Sequence, residues 1–286
     1  MYPNPAGEAF QIDGVWHQDY NVQDPVTGEV SVKRYMYNGS GWVEAKPKID
    51  LTKNIPNTTS GINLRKNVVN LDKCLVNLSK NSGIDLGMHR ARVAVIMDYS
   101  GSMRSQYTSG AVQRTLNRLV PLGLRFDDNG ELDVWLFHNE AYRMNTGMNL
   151  SNYETYVDKV IKTSGVRFGG TSYAPAIIDV IKKYIREEPS NMPNFVIFIT
   201  DGSNNDKRAT DSAVRESSNH PVFVQFVGLG TDDDFAYLHK LDDLTGRSVD
   251  NTGFIEVADF DKMDDNKLYN ELLSQYVDWL RVVGMH

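Results

Sequence analysis

From Ala91 onward the chain alternates short, almost wholly apolar runs with longer stretches in which apolar residues recur every three or four positions. The apolar runs cover 91–97, 132–137, 194–200, 221–228 and 253–257, and the helical spacings cover 106–124, 151–163, 173–187, 209–218, 233–244 and 264–282. Continuous apolar runs of this length suit strands buried on both faces. Strands that take turns with helices build βα units, so the pattern predicts an α/β fold: a doubly wound, mostly parallel sheet with helices on both faces. In the last helical stretch Leu268, Leu272, Leu273, Tyr276, Val277 and Leu280 share one face, which predicts core contact.

The pattern before Arg90 is different. Residues 1–12 are polar, carry Pro3 and Pro5, and read as a loose arm. From Val15, aromatic and β-branched runs (15–20, 30–37 and 42–43) stand between turn residues at 24–28 and 38–41, which predicts a three-stranded meander. Residues 46–89 repeat an apolar-polar-apolar phrase at Ile49-Asp50-Leu51, Ile62-Asn63-Leu64, Val69-Asn70-Leu71, Val76-Asn77-Leu78 and Ile84-Asp85-Leu86. The alternation predicts short half-buried strands with Lys on an outer face, and the uneven intervals argue against a solenoid. One reading of these strands is a docking edge for another chain, and the plainer one is a β extension packed on the domain that follows. The expected organisation is a loose arm over 1–12, a small N-terminal β-rich extension over 13–89, and the α/β domain over 90–286. Sheets this small need support, so the extension is expected to pack on the α/β domain.

At 286 residues, 41% hydrophobic and 23% charged, the chain can bury an ordinary core. A net charge of −7 without a basic stripe argues against a nucleic-acid partner, whose phosphates are held mainly by Lys and Arg. No run reaches the length of a membrane span, so direct membrane insertion is not expected. The start, Met1-Tyr2-Pro3-Asn4-Pro5, lacks the features of a signal peptide, and the single Cys74 cannot form an internal disulfide. Together these suggest a cytoplasmic location.

Candidate chemistry lies where the apolar runs end. Asp98-Tyr99-Ser100-Gly101-Ser102 follows the run 91–97, Thr200-Asp201-Gly202 closes the run 194–200, and Gly169-Gly170-Thr171-Ser172 leads into the helix predicted from Tyr173. An open α/β sheet binds its ligands at the carboxyl ends of its strands. Hard divalent cations prefer oxygen ligands such as these hydroxyls and carboxylates. In these motifs, spread over 90–284, the chain resembles von Willebrand factor A domains with a metal-ion-dependent adhesion site. The segments 91–103, 113–118, 126–134 and 152–153 further resemble bacterial A domains of tellurium-resistance (TerF-like) systems. Val76-Asn77-Leu78-Ser79-Lys80 and Ile84-Asp85-Leu86 are similar to strands of TerD-type domains.

The resemblance implies a Mg²⁺ site, with Mn²⁺ or Ca²⁺ as alternatives, formed by Asp98, Ser100, Ser102, Thr171 and Asp201. It implies that Ser100 and Ser102 bind directly, that Thr171 binds directly or through water, and that Asp98 and Asp201 act largely through water or as hydrogen-bond acceptors. Neutral hydroxyls leave the cation's charge largely uncompensated, so a carboxylate from a protein partner is the natural further ligand. The expected function is then a cation-dependent interaction module of a bacterial tellurium-resistance or stress-response system, and not an enzyme. Alternatives are a metal-dependent phosphohydrolase and a structural scaffold with a vestigial site. Phosphate-loop, zinc-protease and nucleophile-elbow motifs are absent from the sequence. Taken singly, Ser100, Ser102 and Asp201 could be helix caps. His138 follows a strand on the same sheet edge and is expected to be structural, and Ser203 is expected to be a loop residue. Asp127–Glu131 reads as a helix-to-strand turn, too short for a calcium loop, and Asp232–Asp234 as the acidic first turn of a helix.

Overall fold

The computed structural model describes residues 4–12, 15–23, 28, 30–37, 42–44, 55–127, 129–202, 204–230 and 235–285. The turn residues 24–27 and 38–41, the first repeat phrase (49–53), Ser203 and the acidic run 232–234 lie outside them. The chain divides into two compact units, Met1–Asp50 and Leu51–His286.

The first unit is an antiparallel sheet of five strands: β1 (Asn4–Pro5), β2 (Phe10–Ile12), β3 (Val15–Gln23), β4 (Val30–Tyr37) and β5 (Trp42–Glu44). The expected meander is β3–β4–β5. The arm is not wholly loose, since β1 and β2 both pair with β3, with Asn4 opposite Asn21 and Phe10 opposite His17. The long β3 leaves one edge open beside β4, and unpaired strand edges recruit whatever backbone is close. Tyr20 meets Tyr35 edge-on at 5.1 Å and Trp42 at 6.5 Å across the sheet.

In the second unit the strands expected at the phrases Ile62-Asn63-Leu64, Val69-Asn70-Leu71 and Val76-Asn77-Leu78 are replaced by one helix, α1 (Thr59–Ser82), and Ile84-Asp85-Leu86 lies in the loop and turn that follow it, not in a strand. The phrases at Ile62, Val69 and Val76 begin seven residues apart, about two helical turns. Period two holds only within each phrase, whereas the helical period runs through all three. It turns Leu64, Val68, Leu71, Leu75 and Leu78 onto one buried face. Thr58 starts the helix by accepting from the Gly61 N–H at 3.0 Å, and Gly83, at φ 75°, ends it by donating to the Ser79 carbonyl at 2.8 Å. The likeness of 76–80 to a TerD-type strand fails for the same reason.

The remaining elements follow the predicted alternation: β6 (Arg92–Asp98), α2 (Arg104–Thr108), α3 (Ala111–Phe126), β7 (Asp133–Phe137), β8 (Ala141–Arg143), α4 (Ala174–Ile181), β9 (Asn194–Thr200), α5 (Lys207–Ser217), β10 (Val222–Leu229), α6 (Ala236–Asp242), β11 (Thr252–Val257) and α7 (Asp265–Val283). The helix expected over 106–124 is broken, because Gly110 at φ 75° separates α2 from α3. The helix expected over 151–163 is a 3₁₀ turn at Tyr153–Thr155 followed by a π-helical turn at Val157–Ile161, and π-helical turns at Lys182–Glu187 extend α4. Strand β8, three half-buried residues, has no sequence signal. The described residues around the turn expected over Asp127–Glu131 agree with it: the Asp127 carboxylate accepts from the Asn129 N–H, and Gly130 takes φ 72°.

The six-stranded sheet has the order β11-β10-β9-β6-β7-β8, parallel except for β8. Side chains alternate between its faces. Val93, Val95, Phe195, Ile197, Phe223 and Val227 join a core with α1, α3 and α7; Ala94, Ile96, Val196, Phe198, Val224 and Phe226 join one with α4, α5 and α6. The predicted stripe of α7 is buried in the first core. From β6 the chain steps to β7 on one side and later returns to β9 on the other. The crevice at this reversal, at the carboxyl ends of β6 and β9, is where such sheets bind ligands.

Candidate functional site

Strand β6 ends at Asp98, which is 0% exposed. Its Oδ1 accepts from the Ser100 N–H at 2.7 Å and its Oδ2 from the Thr200 Oγ1 hydroxyl at 2.7 Å, so the carboxylate joins the ends of β6 and β9. Tyr173 OH lies 3.1 Å from Thr200 Oγ1, and Tyr107 OH donates to the Asp98 carbonyl at 3.0 Å. Burial pushes the Asp98 carboxyl up to about 6; bonds from Ser100 and Thr200 oppose that rise and the charge of Asp201 adds to it.

Ser100 is 2% exposed and its Oγ lies 3.0 Å from that of Ser102, which is exposed at the mouth. Thr171, 5% exposed, comes from the neighbouring loop. That loop is clasped to the turn after β6, since the Gly101 N–H donates to the Gly169 carbonyl at 3.0 Å and the Gly169 N–H to the Tyr99 carbonyl at 3.2 Å. The clasp needs a glycine: a Cβ on Gly169 would stand 2.8 Å from His138 Cγ. The rings of Tyr99 and Phe168 stack at 4.0 Å beneath the turn.

Asp201 follows β9. Its Oδ1 is buried and has no hydrogen-bond partner among the described residues. The loop after it is tied to Thr171 and to the helix start that follows Thr171. Asn205 N–H donates to the Thr171 carbonyl at 2.8 Å, and the Asp206 carboxylate accepts from the Tyr173 and Ala174 N–H groups at 2.9 and 3.1 Å.

The capping readings find no support in this geometry. Helix α2 starts after Met103 and α5 after Asp206, neither with a side-chain cap bond. The backbone clasps and the Asp98–Thr200 bond thus bring the three motifs to one crevice. His138 lies at its rim, where its carbonyl accepts from the Ser172 N–H at 2.7 Å. Sequence reasoning gave no role to Thr200, Tyr173, Asn205 or Asp206. Thr200 had a signal in the Thr-Asp-Gly motif itself; the other three had none beyond being polar near a motif. Among the described residues no three His, Cys, Asp or Glu side chains are grouped to hold a metal ion, so the donor set here is two carboxylates with hydroxyls.

A parallel sheet reversing between β6 and β9, with a D-x-S-x-S turn, a Gly-Gly-Thr loop and a Thr-Asp-Gly turn at the reversal, defines a von Willebrand factor A domain. Residues 90–285 match the family model described as the vWA domain found in the TerF C terminus, and the chain belongs to this vWA-TerF-like family. It is 40% identical over 193 residues to the uncharacterized protein YcbR of Bacillus subtilis, covering 67% of this chain and 78% of that one. Among solved structures it is similar to the conserved hypothetical protein BatB from Bacteroides thetaiotaomicron, with TM-score 0.50 and 16% identity over 66% of this chain and 99% of that one. A second is proximal thread matrix protein 1 from the mussel byssus, with a zinc-occupied MIDAS motif, at TM-score 0.49 and 17% identity over 66% of this chain and 46% of that one. Among the described residues no helix is long and apolar enough to cross a membrane.

Proposed function

We propose that this protein is a divalent-cation-dependent interaction module that binds a protein partner through an acidic side chain. The observation that carries the reading is the buried Asp201 Oδ1, without a hydrogen-bond partner among the described residues, near the buried Asp98 carboxylate, with the Ser100 and Ser102 hydroxyls on the same turn as Asp98 and Thr171 buried on the loop clasped to it. Buried acceptors left unsatisfied are costly, and a cation removes that cost. The residues that would hold Mg²⁺, or Mn²⁺ or Ca²⁺ in its place, are Ser100, Ser102 and Thr171 with Asp98 and Asp201. When bound, the ion supplies a positive centre open to a carboxylate oxygen.

The chain's own groups act as a frame. Thr200 and the Ser100 N–H occupy both oxygens of Asp98 and hold them still, while Ser102 stands at the mouth where a partner arrives. With both its oxygens engaged, Asp98 is poorly placed to serve as a nucleophile or base, which favours binding over phosphohydrolase chemistry. The TerF-like family is what suggests the setting proposed here, a bacterial tellurium-resistance or stress-response system, and a cytoplasmic location is part of the same proposal. Isothermal titration of EDTA-stripped protein with Mg²⁺ and Mn²⁺ tests the site. One binding event is expected for wild type and none for Ser100→Ala/Ser102→Ala; an unchanged isotherm in the double variant refutes it.

A further inference from the structure

The repeat over 62–80 contributes its leucines to the core, but its other half is left on the surface. Ile62, Val69 and Val76 are 60%, 43% and 46% exposed, on the side of α1 opposite the buried leucines. Lys66, Lys73 and Lys80, four residues after each, are exposed as well. At ~100° per residue these six positions fall within an arc of about 80°. They alternate apolar and cationic along ~27 Å of helix at the usual rise. Asp72 borders the stripe but is paired with Arg125, and the charged positions of the stripe itself are all lysines.

We infer that this face of α1 is a docking surface for an acidic amphipathic helix of a protein partner, separate from the site described above. Apolar positions seven residues apart suit side-by-side helix packing, and carboxylates on the partner helix would meet the interleaved ammonium groups. Charge decides between occupants. Pairing two copies of α1 along this stripe would set one lysine row against the other, which disfavours self-association. A helix lying in a membrane surface keeps its lysines on the polar face, flanking a broad apolar one. Here Lys66 and Lys73 stand between the apolar residues and would be carried into the acyl layer with them.

The probe is a fluorescent peptide of about four heptads, with Leu at the first and fourth positions and Glu beside them. Its anisotropy is followed with the full chain, beside a counterpart with Lys for Glu and beside phosphatidylglycerol–phosphatidylcholine vesicles. Saturable binding of the acidic peptide is expected, weakened by salt and at least about tenfold by either Lys66→Glu/Lys73→Glu/Lys80→Glu or Val69→Asn/Val76→Asn. All five positions are exposed, so melting temperatures should not move, and the two sets are independent should one fail to fold. Absent binding, equal binding of the basic peptide, or indifference to both sets overturns the inference. So does vesicle binding lost on charge reversal, which makes the face a membrane contact, or self-association abolished by the asparagine pair, which makes it a contact between copies.

Discussion

Replacing Asp98 by Asn should stabilise the metal-free protein at neutral pH, although it removes a central residue of the proposed site. The Asp98 carboxyl is pushed from 3.8 to about 6, chiefly by burial, with its bonds from Ser100 and Thr200 opposing the rise and Asp201 adding to it. The folded pKa lies above the unfolded one, so the fold holds this proton more tightly than the open chain does. Its contribution is fully favourable below pH 3.8, fades as pH rises, and is gone above about 6. Moving the pKa that far corresponds to roughly 3 kcal/mol, an upper bound for the gain. Asn keeps an acceptor for the Ser100 N–H but turns an amide donor toward Thr200, whose hydroxyl must then donate to Tyr173 OH, 3.1 Å away. A net gain of about 1–2 kcal/mol remains after this rearrangement. Urea unfolding of both proteins in EDTA, followed by circular dichroism at pH 4, 6 and 7.5, measures it. The variant should be the more stable at pH 7.5, and the gap should close toward pH 4. Saturating Mg²⁺ should then raise the wild-type midpoint and leave that of the variant nearly unmoved. A variant less stable than wild type at pH 7.5, or a gap that ignores pH, refutes the reasoning.

Gly169→Ala should cost about 1–3 kcal/mol and weaken Mg²⁺ binding, because its Cβ would meet the His138 Cγ and Cβ at 2.8 and 3.0 Å. Gly170→Ala should stay within about 0.5 kcal/mol in thermal melts, since its closest contact is the tip of the exposed Asn139 side chain; equal effects at the two positions would contradict the described loop. Leu71→Ala, in the buried face of α1, should lower the unfolding free energy by about 2–5 kcal/mol. A loss below about 1 kcal/mol, or a separate early transition for α1, would show that the helix does not share the core of its unit.

The sheet was legible because its central strands are buried on both faces: Phe195-Val196-Ile197-Phe198-Ile199 has no polar position to confuse the reading, and β9 spans Asn194–Thr200 as expected. Helix α1 was not, because Ile-Asn-Leu is apolar, polar, apolar on a strand and equally at home on a helix with one leucine face. Only the interval of seven between phrases separates the two readings. Pairing of β1 and β2 with β3 depends on an open edge that no local pattern records. The site divides the same way. Its five candidate residues stand on turns whose spelling is local, whereas Thr200 and Tyr173 act on partners 102 and 27 residues away in the chain.

Asp206 shows what such distant partners do. It is an N-cap residue by position, directly before α5, yet its carboxylate caps no N–H of that helix and accepts instead from the start of α4. There it satisfies two orphan N–H groups at the positive end of a helix dipole, and Thr210 Oγ1 donates to the same carboxylate at 2.8 Å. With the Asn205–Thr171 bond, this fastens the loop carrying Asp201 to the loop carrying Thr171. Asp98 fastens the end of β6 to that of β9 through Thr200. The three segments are therefore fastened by bonds between their own loops before any ligand arrives. Among the described residues Ser102, exposed, is tied through its side chain to Ser100 alone, and Asp201 Oδ1 to nothing, so these are the groups of the site that the frame leaves uncommitted.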